Sequence, residues 1–328
     1  MPEFWEAVGQ RWQAAVDAAG DVPDGRLVTE ELRRRDRREL SGTIAITGYR
    51  GAGKTVLRDG LLNRIEQNYV PPPKSLVDEL HRFTLERGRD LRRMGLVVVP
   101  GQSSADRSDS LARIFDPRRE IAPAGVIHVV CWGHNTIDSV QDRRTIRKEI
   151  EASGREFDLG ALQDWNRQAE LEEFRQVAEH VGGVWGRNST PWLIIAVAQS
   201  HLYWNAIERA AHHYVPGWPD PDEKKPGQPV PGQPVPGQPV PGQLGRGHSV
   251  PGREPEPESE FRQDLRGLVE DMRTRGQTRI AVLPLASYPN DYRFDNIRIK
   301  SGLGAAEGRN LMGTFATTLG EFCDLGTR

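Results

Sequence analysis

The stretch that most restricts this chain is Thr43–Thr47 (TIAIT) running directly into Gly48-Tyr49-Arg50-Gly51-Ala52-Gly53-Lys54-Thr55. The first five residues are short, β-branched and apolar, as a buried parallel strand requires. The next eight fit G-x-x-x-x-G-K-[ST] at every fixed position, and Leu57, Leu61 and Ile65 then recur on one helical face. Strand, glycine-rich turn and helix together make a phosphate cradle. Glycines let backbone N–H groups point inward, and the helix N-terminus adds its dipole. In such a cradle Gly48, Arg50, Gly51, Ala52 and Gly53 form the loop, Lys54 reaches the outer phosphates of a nucleotide, and the Thr55 hydroxyl ligates Mg²⁺. Arg50 keeps three readings: a contact to the outer phosphates, a contact to a partner, or solvent exposure.

From Ser41 onward strands and helices alternate. Apolar runs at Leu96–Val99, Gly125–Trp132, Trp192–Ala198 and Ile280–Leu285 read as buried strands. Between them lie helical stretches, including the stripe Leu171, Phe174, Val177, Ala178 and Val181, and a final helix from about Ala305 to Phe322. This order predicts an α/β fold: a three-layer P-loop NTPase architecture, its sheet mostly parallel and covered by helices on both faces. The helix that opens at the glycine-rich loop is expected to be broken by Pro71-Pro72-Pro73.

Residues 1–40 read as an N-terminal helical extension. Phe4, Trp5, Val8, Trp12, Val16 and Ala19 fall at helical spacing, a face suited to the protein's own core or to a partner, and a second, charged helix is expected over residues 29–40. The nucleotide-binding domain is placed at 41–323, interrupted at 219–259 by a Pro/Gly-rich insert in which PGQPV occurs three times. Proline at that frequency forbids a helix or a central strand and leaves little to bury, so the insert is expected to be disordered.

A formal net charge of -2 gives no global attraction to nucleic acid or an anionic membrane. The two cysteines, Cys131 and Cys323, are too few for a disulfide framework or a zinc site. With no apolar run near the ~18 residues of a membrane span and no signal-peptide core, the expectation is a soluble, cytoplasmic protein.

The second diagnostic stretch is Val97-Val98-Val99-Pro100-Gly101-Gln102, a buried strand ending in Pro-Gly-Gln. With the phosphate loop before it, this resembles the Ras-like (TRAFAC-class) GTPases, bacterial cell-polarity GTPases among them. The resemblance implies that the Gly101 amide senses the γ-phosphate and that Gln102 orients the attacking water while Lys54 stabilises the phosphates. It also implies slow GTP hydrolysis with Mg²⁺, and a protein partner (activator or effector) reached through the switch loops or the N-terminal helix. Thr84 would complete the Mg²⁺ shell, with Ser75 competing for the role.

Two departures bear on the chemistry. The carboxylate that would hold a Mg²⁺-bound water is replaced by Val98, and Asp106 or Asp109 could substitute only if the loop folds back. At the base-reading positions stand Gln199 and His201, with Ser287 in the last base-contacting loop. A neutral histidine nitrogen can accept one hydrogen bond from guanine but not two. The sequence therefore leaves open a pseudo-GTPase scaffold that holds nucleotide without turning it over. It also leaves open an ATP-using P-loop protein of the signalling or AAA type.

Overall fold

The computed structural model describes residues 2–20, 28–31, 40–66, 68–72, 79–87, 90–101, 105–116, 123–137, 139–184, 192–221, 258–275, 278–294 and 297–324. Its elements are α1 (Pro2–Ala18), β1 (Val28–Glu31), β2 (Gly42–Gly48), α2 (Lys54–Leu61), β3 (Glu79–Arg87), β4 (Asp90–Val98), α3 (Ala105–Ile114), β5 (Pro123–Val130) and α4 (Val140–Ala152). They continue with α5 (Leu159–Val184), β6 (Trp192–Val197), α6 (Ile207–Tyr214), α7 (Glu260–Arg275), β7 (Arg279–Pro284), β8 (Tyr292–Phe294), β9 (Ile297–Ile299) and α8 (Ala305–Phe322).

A seven-stranded sheet runs in the order β1-β3-β4-β2-β5-β6-β7. Strands β4, β2, β5, β6 and β7 pair in parallel, while β3 joins β4, and β1 joins β3, antiparallel. Period-two alternation sends successive side chains to opposite layers. On β2, Ala45 faces α5 and α7, whereas Ile44 and Ile46 face α2 and α8. On β5, Val126 and Val130 join the first layer, and Ile127 and Val129 the second. This is the three-layer, mostly parallel P-loop NTPase architecture expected from the sequence.

The parallel strands expose their carboxyl ends at one edge of the sheet. After β2 the chain moves to one side, building β3 and β4, and then crosses to β5 on the other side. The phosphate loop thus emerges at the point where the strand order reverses, where open α/β sheets bind ligands.

Three local expectations need correction. The charged segment from residue 29 does not begin as a helix: Val28–Glu31 is an edge strand pairing with Phe83–Glu86, and residues 32–39 lie outside the described set. Helix α2 stops at Leu61, well before the prolines, because Asn63 takes a left-handed conformation with φ 53°. Segment 79–98, in which only the run from Leu96 read as a strand, is a long antiparallel hairpin. The 219–259 insert falls almost wholly outside the described residues.

Helix α1 buries Trp5, Val8 and Trp12 against the α5/α7 layer and the edge strand β7, so its apolar face belongs to the protein's own core. Arg11 reaches Glu321 at 2.9 Å, and Asn310 Nδ2 donates to Ala19 O at 3.1 Å, tying the helix to α8. Among the described residues no helix is long and apolar enough to cross a membrane.

Strands β5 and β6 meet closely at Gly125, which pairs with Trp192. A methyl group at Gly125 would fall within the Trp192 indole. Overpacking a filled core costs about 1–3 kcal/mol, so Gly125→Ala should lower stability by roughly that amount in urea denaturation, whereas Gly267→Ala, with open space around it, should not.

Candidate functional site

Glycine freedom shapes the phosphate loop. Gly48, Gly51 and Gly53 have φ of 134°, 72° and 96°, conformations that side chains with a Cβ rarely adopt. A Cβ at Gly51 would also overlap the Thr136 carbonyl. The loop's carbonyls need donors. Thr136 N–H and Gln199 Nε2 both donate to Gly51 O, at 3.1 and 2.7 Å, and Asn135 Nδ2 donates to Arg50 O at 3.1 Å. The loops after β5 and β6 therefore hold the cradle from outside.

Lys54 is buried, and its ammonium donates to Gly48 O at 2.6 Å and Tyr49 O at 3.1 Å. Gly101 lies so near that a Cβ there would fall on Lys54 Nζ. The strand that ends in Pro100-Gly101 is thereby brought against the strand that ends in the phosphate loop. Arg50 is engaged with protein: its guanidinium pairs with Asp142 at 3.1 Å, and its Nε donates to the Tyr49 hydroxyl at 3.1 Å.

These groups open on a cavity of about 580 Å³. At one end are Arg50, Gly51, Gly53, Lys54, Thr55 and Gly101, and Val98 adds an apolar wall. The walls continue with Gln199, His201 and Leu202 after β6, and with Ser287, Tyr288, Asn290, Asp291 and Tyr292 after β7. Of the residues expected from sequence, Gly48 and Ala52 shape the loop behind this surface, and Ala52 is fully buried.

Other expected residues fall elsewhere. Thr84 sits mid-strand in β3 opposite Arg93, five residues from the strand end nearest the loop, and does not line the cavity. The antiparallel hairpin carries it away from Thr55, so the two do not share a metal shell. Asp109 is exposed on α3 and likewise off the cavity. Gln102 and Ser75, and the side chain of Asp106, lie outside the described residues.

At the base-reading positions, Gln199 takes a left-handed conformation (φ 55°) and spends its amide on Gly51, so its role is to tie loops together. The His201 ring bonds the Asn290 backbone, while its Nδ1 is buried without a partner among the described residues. Ser287 Oγ donates to Met312 Sδ at 3.2 Å.

Sequence reasoning missed two walls. Tyr69, whose hydroxyl donates to Asp59 at 2.6 Å, meets Tyr288 edge to face at 5.2 Å. The segment Asn290-Asp291-Tyr292 borders the far end. The available signal for the latter was positional: it follows a buried parallel strand, and such loops converge at the ligand crevice.

Behind the loop lies a buried polar cluster. Glu170 on α5 accepts from Cys131 N at 2.9 Å, Cys131 Sγ at 3.1 Å and the Tyr214 hydroxyl at 2.7 Å. Burial raises the Glu170 carboxyl above the usual range despite these donors and pushes the Cys131 thiol well up, so that thiol is not a nucleophile.

No family model matches the chain. A curated relative, the adenylyl-sulfate kinase of Pseudomonas aeruginosa (strain PAO1), is 30% identical over 126 residues, covering 38% of this chain. The chain spans 56% of that relative's length. Among solved structures, a chain of the signal recognition particle receptor SRb-GTP/SRX complex from Chaetomium thermophilum matches with a TM-score of 0.38 and 11% identity. The match covers 85% of this chain and 99% of that one.

Three histidines, of which His201 lines the cavity, give the fold a pH dependence. Burial lowers His134 and His201 from 6.5 to about 4, and His213 to about 3. A folded pKa below the unfolded one means that the unfolded chain binds more protons as pH falls from about 6.5 toward 4. Stability should therefore be full above about pH 6.5 and decline below it, and His134→Gln should remove about one proton from that slope in urea titrations.

Proposed function

We propose that this chain binds a nucleoside triphosphate in the cavity and works as a slow GTP hydrolase of the Ras-like kind, a nucleotide-dependent switch. The observation that carries this reading is the convergence of Gly51, Lys54, Thr55 and Gly101 at one end of a cavity whose length continues past the loops after β6 and β7. Lys54 would exchange the loop carbonyls it now holds for β- and γ-phosphate oxygens. Gly101 would present its amide to the γ-phosphate. Gln102, next in the chain, would orient the water for in-line attack.

Mg²⁺ fits as a companion of the nucleotide. Its usual site combines one or two protein oxygens with phosphate and water. Here Thr55 supplies the hydroxyl, Val98 supplies nothing, and among the described residues no cluster of three or more metal-ligating side chains occurs. When bound, the ion would neutralise charge on the phosphate oxygens, and the chain's own residues would position them. Mg²⁺ alone should therefore give no heat of binding in calorimetry, and should bind once a triphosphate is present.

A protein partner is proposed at the switch loops, because the apolar face of α1 is already committed to the core. A second reading, a GTPase-like scaffold that holds nucleotide without hydrolysing it, draws on Val98 lining the cavity where a carboxylate would steady the metal's water. The local identity with a kinase keeps phosphoryl transfer from ATP as a further arm of the test.

Nucleotide binding and single-turnover hydrolysis with GTP and ATP separate these readings. Lys54→Ala should weaken triphosphate binding about 100-fold, and Gln102→Ala should leave binding intact while slowing turnover about 100-fold. Tight binding with turnover indifferent to both changes would defeat the hydrolytic mechanism.

A further inference from the structure

His201 occupies the position where a base-reading carboxylate was expected, and its bonds lead to another one. Its ring hydrogen-bonds the Asn290 backbone, and its carbonyl accepts from Gly302 N–H at 2.6 Å. Those two residues flank the short β8–β9 hairpin. Between them the ends of the hairpin are clasped by Asp291: Oδ1 accepts from Ser301 N–H at 2.9 Å, and Oδ2 accepts from Arg298 Nε at 2.6 Å and pairs with Nη2 of the same guanidinium. Asp291 therefore stands on the cavity wall beside His201, held in place by backbone and guanidinium.

The distance suits a nucleoside. Strand β7 is three places from β2, or about 14 Å at ~4.8 Å per strand. With phosphates at Lys54, the base would reach the loops after β6 and β7. Tyr288 and Tyr69, packed against each other on the cavity wall, offer it an apolar side. The Ser301 amide and Arg298 together keep the Asp291 carboxyl below the usual carboxylate range, so it is ionised at neutral pH. Oδ1 keeps a lone-pair site after these bonds, while Oδ2 already meets two nitrogens of the exposed Arg298 guanidinium, which would yield one of them to a second base donor.

We propose that Asp291 reads the base and that the base is guanine, an inference that rests on the nucleotide-binding reading of this cavity. Guanine presents N1–H and the exocyclic N2 amine side by side, two donors matched to two carboxylate oxygens. Adenine presents its N6 amine beside the N1 lone pair, so the same carboxylate gains one bond and meets one repulsion. His201 acts here as a positioning residue, holding the loop that carries the carboxylate.

The test is competition of GTP, ATP, xanthosine triphosphate and inorganic triphosphate for a labelled GTP analogue on the full chain. Wild type should favour GTP over ATP by about 10–100-fold, the worth of a bidentate contact. Asp291→Asn keeps an oxygen for Ser301 N–H but turns one base-facing acceptor into a donor. It should lose most of the GTP preference, gain xanthosine triphosphate, whose ring has a carbonyl in place of the N2 amine, and bind inorganic triphosphate as wild type does. Equal wild-type affinity for GTP and ATP overturns the inference, as does a GTP:ATP ratio unmoved by Asp291→Asn. If that variant fails to bind inorganic triphosphate, the wild-type GTP:ATP ratio decides. Failure of every nucleotide and of triphosphate to bind wild type would overturn the nucleotide reading itself, and this inference with it.

Discussion

The carbonyls of Arg50 and Gly51 are the constraint around which the rest of the site is arranged. A turn shaped by left-handed glycines fixes where its carbonyls point, and carbonyls taken from water need donors. Asn135, Thr136 and Gln199 meet that need from two other strands. The geometry of the cradle is thus written in β2, while its rigidity comes from the loops after β5 and β6. Removing the Asn135 amide takes a donor from Arg50 O, and removing Gln199 leaves Gly51 O with Thr136 N–H, in neither case touching the signature residues.

The loop after β5 is itself held in a demanding conformation. Trp132 has φ 50° and Gly133 φ 79°, consecutive left-handed residues of which only the second is free of the Cβ penalty. The turn persists because its groups are bonded on every side: the Tyr214 hydroxyl accepts from Trp132 N–H at 3.0 Å, and Asn166 Nδ2 donates to Gly133 O at 2.8 Å. Glu170 then accepts from Tyr214 and from Cys131 N–H. A buried carboxyl is costly unless its donors are present, and here the donors come from the same turn it stabilises. Helix α5 is in this sense the back wall of the phosphate loop, and α6 contributes through Tyr214.

The sequence disclosed what is local. The phosphate loop, the five apolar strands and the closing helix each carry their period and punctuation in contiguous residues. The hairpin of β3 and β4 was harder, because ELHRFTLER is rich in charge and buries only part of its length. The alternation of His81, Phe83 and Leu85 was the available sign. Thr84 was misplaced for that reason, since a loop residue and a mid-strand residue differ by one secondary-structure assignment. The partners of Gly51 O were not legible, because they are contributed by positions 85 and 148 residues downstream. Gln199 looked like a base contact because its place after β6 was right; its amide was claimed by the nearer carbonyl.

Lys54 shows how much of a ligand's work the apo fold has already done. An ammonium taken from water needs replacement partners, and Gly48 O and Tyr49 O supply them within the loop itself. The chain that holds those oxygens is fixed by glycine geometry and by donors outside the loop. Lys54 is thus buried and held in place by the loop itself. On the proposed reading, an incoming anion would meet a charge already held by two carbonyls. The ordering cost that usually offsets binding is then borne in folding rather than at the encounter. Arg50 differs: its charge is paired with Asp142, so the positive charge at the loop end of the cavity is chiefly that of Lys54, while the Asp291 carboxylate stands at the far end.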